Sequence, residues 1–138
     1  MKKFRIIETT GDVGVVAFGD SLKEVFANTA SGLFSVAANL SCIRKKMSLS
    51  FDAEGESLDA LLLSWLNELI YIQEVNDFLG KEVDIKELSD KKISGELWGE
   101  KLDREKHLFG TEVKAATYHN LEIKTENGSW QITVIFDI

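Results

Sequence analysis

The dipeptide Asn127-Gly128 constrains this chain more than any other feature. Both residue types accept the left-handed backbone of a two-residue hairpin turn, and apolar residues alternate with polar ones on either side. Strands over Val113 to Lys124 and Trp130 to Phe136 are therefore expected to pair antiparallel. A two-residue turn sets the register outward from Glu126 opposite Ser129. Ile123 then faces Ile132, Leu121 faces Val134 and His119 faces Phe136, giving one apolar face for the core. On the other face Glu122 meets Thr133, Asn120 meets Ile135 and Tyr118 meets Asp137. A slip of one residue would exchange the two faces, so the apolar set selects this register.

That register makes His119 a hydrogen-bonded structural histidine on the apolar side. It puts Asp137 on the polar side, beside Tyr118 and one residue from the α-carboxylate of Ile138. Two adjacent carboxylates repel unless something positive neutralises them. A hard cation such as Ca²⁺ or Mg²⁺ would suit oxygen donors of this kind. Lys114, expected on the strand face of Tyr118, is the alternative counter-ion, and plain solvation is the bland reading.

Upstream, Phe4 to Glu8 and Val13 to Phe18 read as strands joined by turn chemistry at Thr9-Thr10-Gly11-Asp12. Ser21 and Glu24 form a capping-box pattern ahead of a helix from about Leu22 to Asn39. Gly32 lies inside that helix at a cost of about 1 kcal/mol against alanine, which points to a close approach by another element. Lys46 to Phe51 alternates as a strand. Ser57 can cap a second helix carrying Leu58, Leu61, Leu62, Trp65, Leu66, Leu69, Ile70 and Ile72. Its apolar pattern exceeds a narrow stripe, so this helix is expected to be the most buried, between layers. Phe78 to Leu88 and Lys92 to Leu97 are further strands, and Leu102 to His107 reads as a turn or single helical turn. No repeat, low-complexity tract or proline marks a linker. The expected fold is α+β: a single domain over residues 1–138, with a mostly antiparallel sheet and two main helices packed against it.

Net charge narrows the function. At −7, the chain gains little from releasing counterions at phosphates, so strong direct nucleic-acid binding is not expected. One cysteine, Cys42, excludes an internal disulfide and suits a reducing compartment. No apolar run approaches a membrane span and no signal-peptide pattern follows Lys2, Lys3 and Arg5, so a cytoplasmic protein without membrane association is expected. The chain has no GxSxG, P-loop, HExxH or CxxC motif. Its two histidines, His107 and His119, stand beside no evident nucleophile, so no catalytic residue is assigned and a non-enzymatic role is expected.

Four segments carry a family resemblance. Thr111 to Leu121, reading TEVKAATYHNL, closely resembles the most distinctive motif of the archease family, TEVKAxTYHxL. Val134-Ile135-Phe136-Asp137-Ile138 is similar to that family's C-terminal sequence, and Leu61 to Tyr71 to its central helix. Thr10-Gly11-Asp12-Val13-Gly14 resembles its Asp-bearing N-terminal motif, although Thr9 and Gly11 replace the common histidine and alanine of His-Thr-Ala-Asp. The resemblance implies an accessory protein of an RtcB-type RNA ligase in tRNA splicing, promoting ligase guanylylation and multiple turnover. It also implies a divalent-cation site built from Asp12, Asp137 and the terminal carboxylate of Ile138, with Lys114, Asp12 and Asp137 acting on the partner. The competing reading is a small-molecule or metal-binding α+β module with no ligase partner.

Overall fold

The computed structural model describes residues 2–105, 107 and 110–138. Strands β1 (Phe4–Thr9) and β2 (Asp12–Gly19) form the first hairpin. Gly11 sits at φ +91° in its two-residue turn, with Thr9 opposite Asp12. Helix α1 (Leu22–Ala37) follows, capped by the Ser21 side chain, which accepts from the Glu24 N–H at 3.0 Å. Glu24 reaches back to the Asp20 N–H at 3.1 Å, so the box closes one residue earlier than the usual pattern. After a short 3₁₀ turn come β3 (Met47–Glu54), α2 (Leu58–Val75), β4 (Phe78–Leu88), β5 (Lys92–Lys101), β6 (Ala115–Glu126) and β7 (Ser129–Asp137). Ser57 caps α2 as its sequence position predicts, accepting from the Ala60 N–H.

The strands form two antiparallel sheets, ordered β1-β2-β7-β6 and β3-β5-β4. Two sheets are needed because each helix has more apolar surface than one sheet can cover. Helix α1 touches β1, β2 and β7 on one side and β4 on the other, while α2 bridges β6 to β3, β4 and β5. The helices are thus a layer shared by both sheets. As expected, α2 is deeply buried, through Leu61, Leu62, Trp65, Leu66, Leu69 and Ile72. Trp65 stacks on Phe26 of α1 with ring centroids 5.6 Å apart and meets Phe51 of β3 at a tilt. The 102–107 stretch includes a turn at Arg104 and Glu105, and Lys106 within it lies outside the described residues.

The final hairpin agrees with the sequence near its turn and departs from it further on. Asn127 and Gly128 take φ +52° and +81°, as a type I′ turn requires. Glu126 faces Ser129, Ile123 faces Ile132 and Glu122 faces Thr133, as predicted. Beyond that the ladder jumps: Thr117 faces Ile135, Ala116 faces Phe136 and Ala115 faces Asp137. The four residues 118–121 stand where β7 offers only Val134, so β6 carries three surplus residues in a bulge. Asn120 turns the chain there at φ +54°.

Three surplus residues is an odd number, so the faces exchange across the bulge. His119 is therefore not the core histidine the straight register predicts. Ala116, 6% exposed, takes the place opposite Phe136, and His119 is exposed. Tyr118 likewise does not face Asp137; it stands 61% exposed on the bulge.

Candidate functional site

Strands β2 and β7 pair at the centre of the four-stranded sheet, which brings Asp12 directly opposite Asp137. Val13, Val15 and Ala17 meet Phe136, Val134 and Ile132 on the core face. By alternation, Asp12 and Asp137 share the outer face, away from the helices. Directly opposed residues hold their Cβ atoms roughly 5 Å apart, close enough for two ionised carboxylates to repel. The outer row continues to Thr9 on one flank and Ala115 on the other. The Thr9 hydroxyl donates to Asp12 Oδ1. Ile138 packs its side chain against the core, which anchors the chain beside Asp137.

Lys114 precedes β6. Its backbone N–H donates to the Asp137 carbonyl at 2.8 Å, so it adjoins the acidic pair, and the residue is exposed. Among the described residues, the ion pairs within 4.0 Å include none between its ammonium and Asp12 or Asp137. Nor do three or more His, Cys, Asp or Glu side chains cluster there as metal ligands among the described residues. The acidic pair is thus two side chains on adjacent strands.

Two supporting residues were not singled out from the sequence. Thr9 is one, and the tight turn through Thr10-Gly11 was the signal that could have placed it opposite Asp12. Asn67 of α2 is the other: its Oδ1 accepts from the Ala116 N–H at 2.8 Å and its Nδ2 donates to the Ala116 carbonyl at 3.3 Å. It thereby supplies the hydrogen bonds of a missing strand at the β6 edge, just beyond the acidic row. Nothing local in the sequence links residues 67 and 116.

Of the two histidines, His107 is 3% exposed. Its Nδ1 accepts from the Asp103 N–H at 2.9 Å, and Nε2 lies 3.3 Å from Glu100 Oε2. Those contacts tie His107 to Asp103 and to Glu100 at the end of β5.

The archease protein family matches residues 4–138 of this sequence. This chain belongs to the archease family. Protein archease of Pyrococcus abyssi is 38% identical to it across the full length of both chains. The protein of the same name from Methanosarcina mazei is 32% identical over 99% of this chain and 97% of its own. Among solved structures, that of Methanobacterium thermoautotrophicum protein 1598 superposes over all of both chains with a TM-score of 0.83 at 34% identity. An archease from Thermotoga maritima, described as a possible chaperone, shares the fold at a TM-score of 0.64 and 21% identity, over 96% of this chain and 94% of that one. The archease fold therefore spans the chain, and no helix among the described residues is long and apolar enough to cross a membrane.

Proposed function

We propose that this archease is an accessory protein of an RtcB-type RNA ligase in tRNA splicing, one that promotes guanylylation of the ligase and its multiple turnover. The observation that carries this reading is the register of β2 against β7, which sets Asp12 opposite Asp137 on an open face. An acidic pair of an exposed Asp137 and a half-buried Asp12, without an ion-pair partner among the described residues, is suited to a positive group from outside.

The donor set fits a hard divalent cation, Ca²⁺ or Mg²⁺, because every candidate ligand is oxygen. Asp12, Asp137 and the Ile138 carboxylate would hold it, with water completing the shell. Bound there, the ion would offset the repulsion between the opposed carboxylates. The chain's own residues do the rest: Thr9 orients the Asp12 carboxylate, Ile138 fixes the end of β7, and Lys114 offers an exposed ammonium to the ligase beside the pair.

The test is ligation by the cognate ligase under multiple turnover with GTP and Mn²⁺, with wild-type protein or Asp137→Ala added. Stimulation by wild type that falls to the unassisted rate with a folded Asp137→Ala is expected. Equal stimulation by both would retain the partner and remove the acidic pair from its centre. No stimulation by folded wild type would end the ligase reading.

A further inference from the structure

Strand β6, at the edge of its sheet, departs from regular pairing through a bulge of three surplus residues. Its bulge inserts residues 118–120 into an otherwise continuous ladder, for without them Leu121 would follow Thr117 and face Val134 in unbroken register. The insertion sets Asn120, a non-glycine residue, at φ +54° and leaves residues 118–121 out of the paired register. Its product is an exposed crest of Tyr118, His119 and Asn120, with Tyr118 61% exposed.

The crest is held in shape. The Thr117 hydroxyl donates to the Ile135 carbonyl at 2.9 Å and accepts from the His119 N–H at 3.3 Å. A side chain presented on a fixed backbone loses less freedom on binding than one on a loose loop. Protection of the sheet edge does not account for the exposed ring of Tyr118. A bulge by itself can guard an edge strand, but that role needs no projecting aromatic ring, and the Asn67 amide already occupies the edge at Ala116.

We infer that the Tyr118–His119 crest is a protein-docking element that seats the acidic pair against the ligase, Tyr118 entering an apolar recess on that partner. This inference rests on the function proposed above. Tyr118 lies three residues from Ala115, the neighbour of Asp137, so it stands roughly 10 Å along the strand from the acidic row. One partner surface can cover both. A tyrosine that buries its ring and keeps a hydroxyl for hydrogen bonding is a frequent anchor of protein interfaces. A nucleobase could also stack on the ring, but the chain carries a net charge of −7, and Glu122 adds a carboxylate on the side of the crest away from the acidic row. Such surroundings repel a phosphate backbone.

The experiment measures affinity for the cognate ligase without RNA, by titration calorimetry. It uses wild type, Tyr118→Ala, the deletion of residues 118–120, and Tyr71→Ala. Tyr71 is a matched control, 59% exposed on α2. Tyr118→Ala should bind at least about tenfold more weakly, as loss of an interface anchor does. The deletion, whose ladder closes in register, should keep its thermal stability and lose binding similarly, while Tyr71→Ala stays within about twofold of wild type. Unchanged binding by Tyr118→Ala and by a folded deletion variant would overturn the docking role and leave the proposed function standing. Normal binding without RNA, combined with weaker binding of the ligase–RNA complex by Tyr118→Ala, would reassign the ring to a nucleobase and also overturn it. Absence of binding or stimulation by wild type would overturn the ligase reading, and this inference with it.

Discussion

Asp12 and Asp137 are each ordinary surface aspartates by composition; their opposition across two strands makes them a unit. Removing one charge should relieve repulsion of the kind that destabilises directly opposed like charges, by a few tenths to about 1 kcal/mol. Asp137→Asn, measured by thermal melting in EDTA, is therefore expected to melt at or above the wild-type temperature. Added Ca²⁺ or Mg²⁺ should raise the wild-type midpoint, since a ligand that binds only the folded state stabilises it, and should leave Asp137→Asn unmoved. A wild-type midpoint indifferent to both ions would remove the cation from the site. Of this pair, Asp137 was legible from the local hairpin pattern. Asp12 was not, because no local rule pairs the second strand with the last; it entered through the family motif alone. The substitution of Gly11 in that motif has a structural counterpart in the +91° φ of the turn.

Among the elements, α1 shows how far periodicity carries. Its span, its cap and the meaning of Gly32 were all readable. A Cβ at Gly32 would come within 2.5 Å of Val15 Cγ1 and 3.5 Å of Phe4 Cδ1. Val15 is a fully buried, β-branched residue on a central strand and cannot turn away cheaply. Gly32→Ala therefore sets a helix-propensity gain of about 1 kcal/mol against an overpacking cost of typically 1–3 kcal/mol. The expected result is a lower urea midpoint with little change in slope; a stabilised variant would show that the helix can move away from β2. Strand β6 marks the limit of the same reasoning. Alternation specified its half nearest the turn, through Ile123 and Ile132, and failed beyond Glu122. Counting outward from a turn assumes an unbroken ladder, and a bulge of three residues carries no signal stronger than one asparagine. The error moved His119 from the surface to the core and gave Asp137 the wrong neighbour.

At the scale of the molecule, the α+β class, the antiparallel pairing and the helix between layers were legible, while the division of the strands into two sheets around a shared helical layer was not. Strand count and alternation do not say which strands are neighbours; that depends on contacts far apart in the chain. The shared layer has a consequence for cooperativity. Trp65 joins α2 to Phe26 of α1 and to Phe51 of β3, so neither sheet can lose its helices without exposing the core of the other. The three tryptophans allow this to be tested, since Trp98 lies on β5 of the smaller sheet and Trp130 on β7 of the larger. Two variants, each carrying Trp65→Phe and retaining one of the other two tryptophans, would report on the sheets separately by fluorescence. Each must be compared with its own circular dichroism, so that differences in stability between variants cancel. The fluorescence and dichroism transitions are expected to coincide within each variant, as two-state unfolding of one unit requires. An earlier fluorescence transition at Trp98 would mean that the smaller sheet opens alone, leaving β2, β7 and their acidic pair on a separately stable platform.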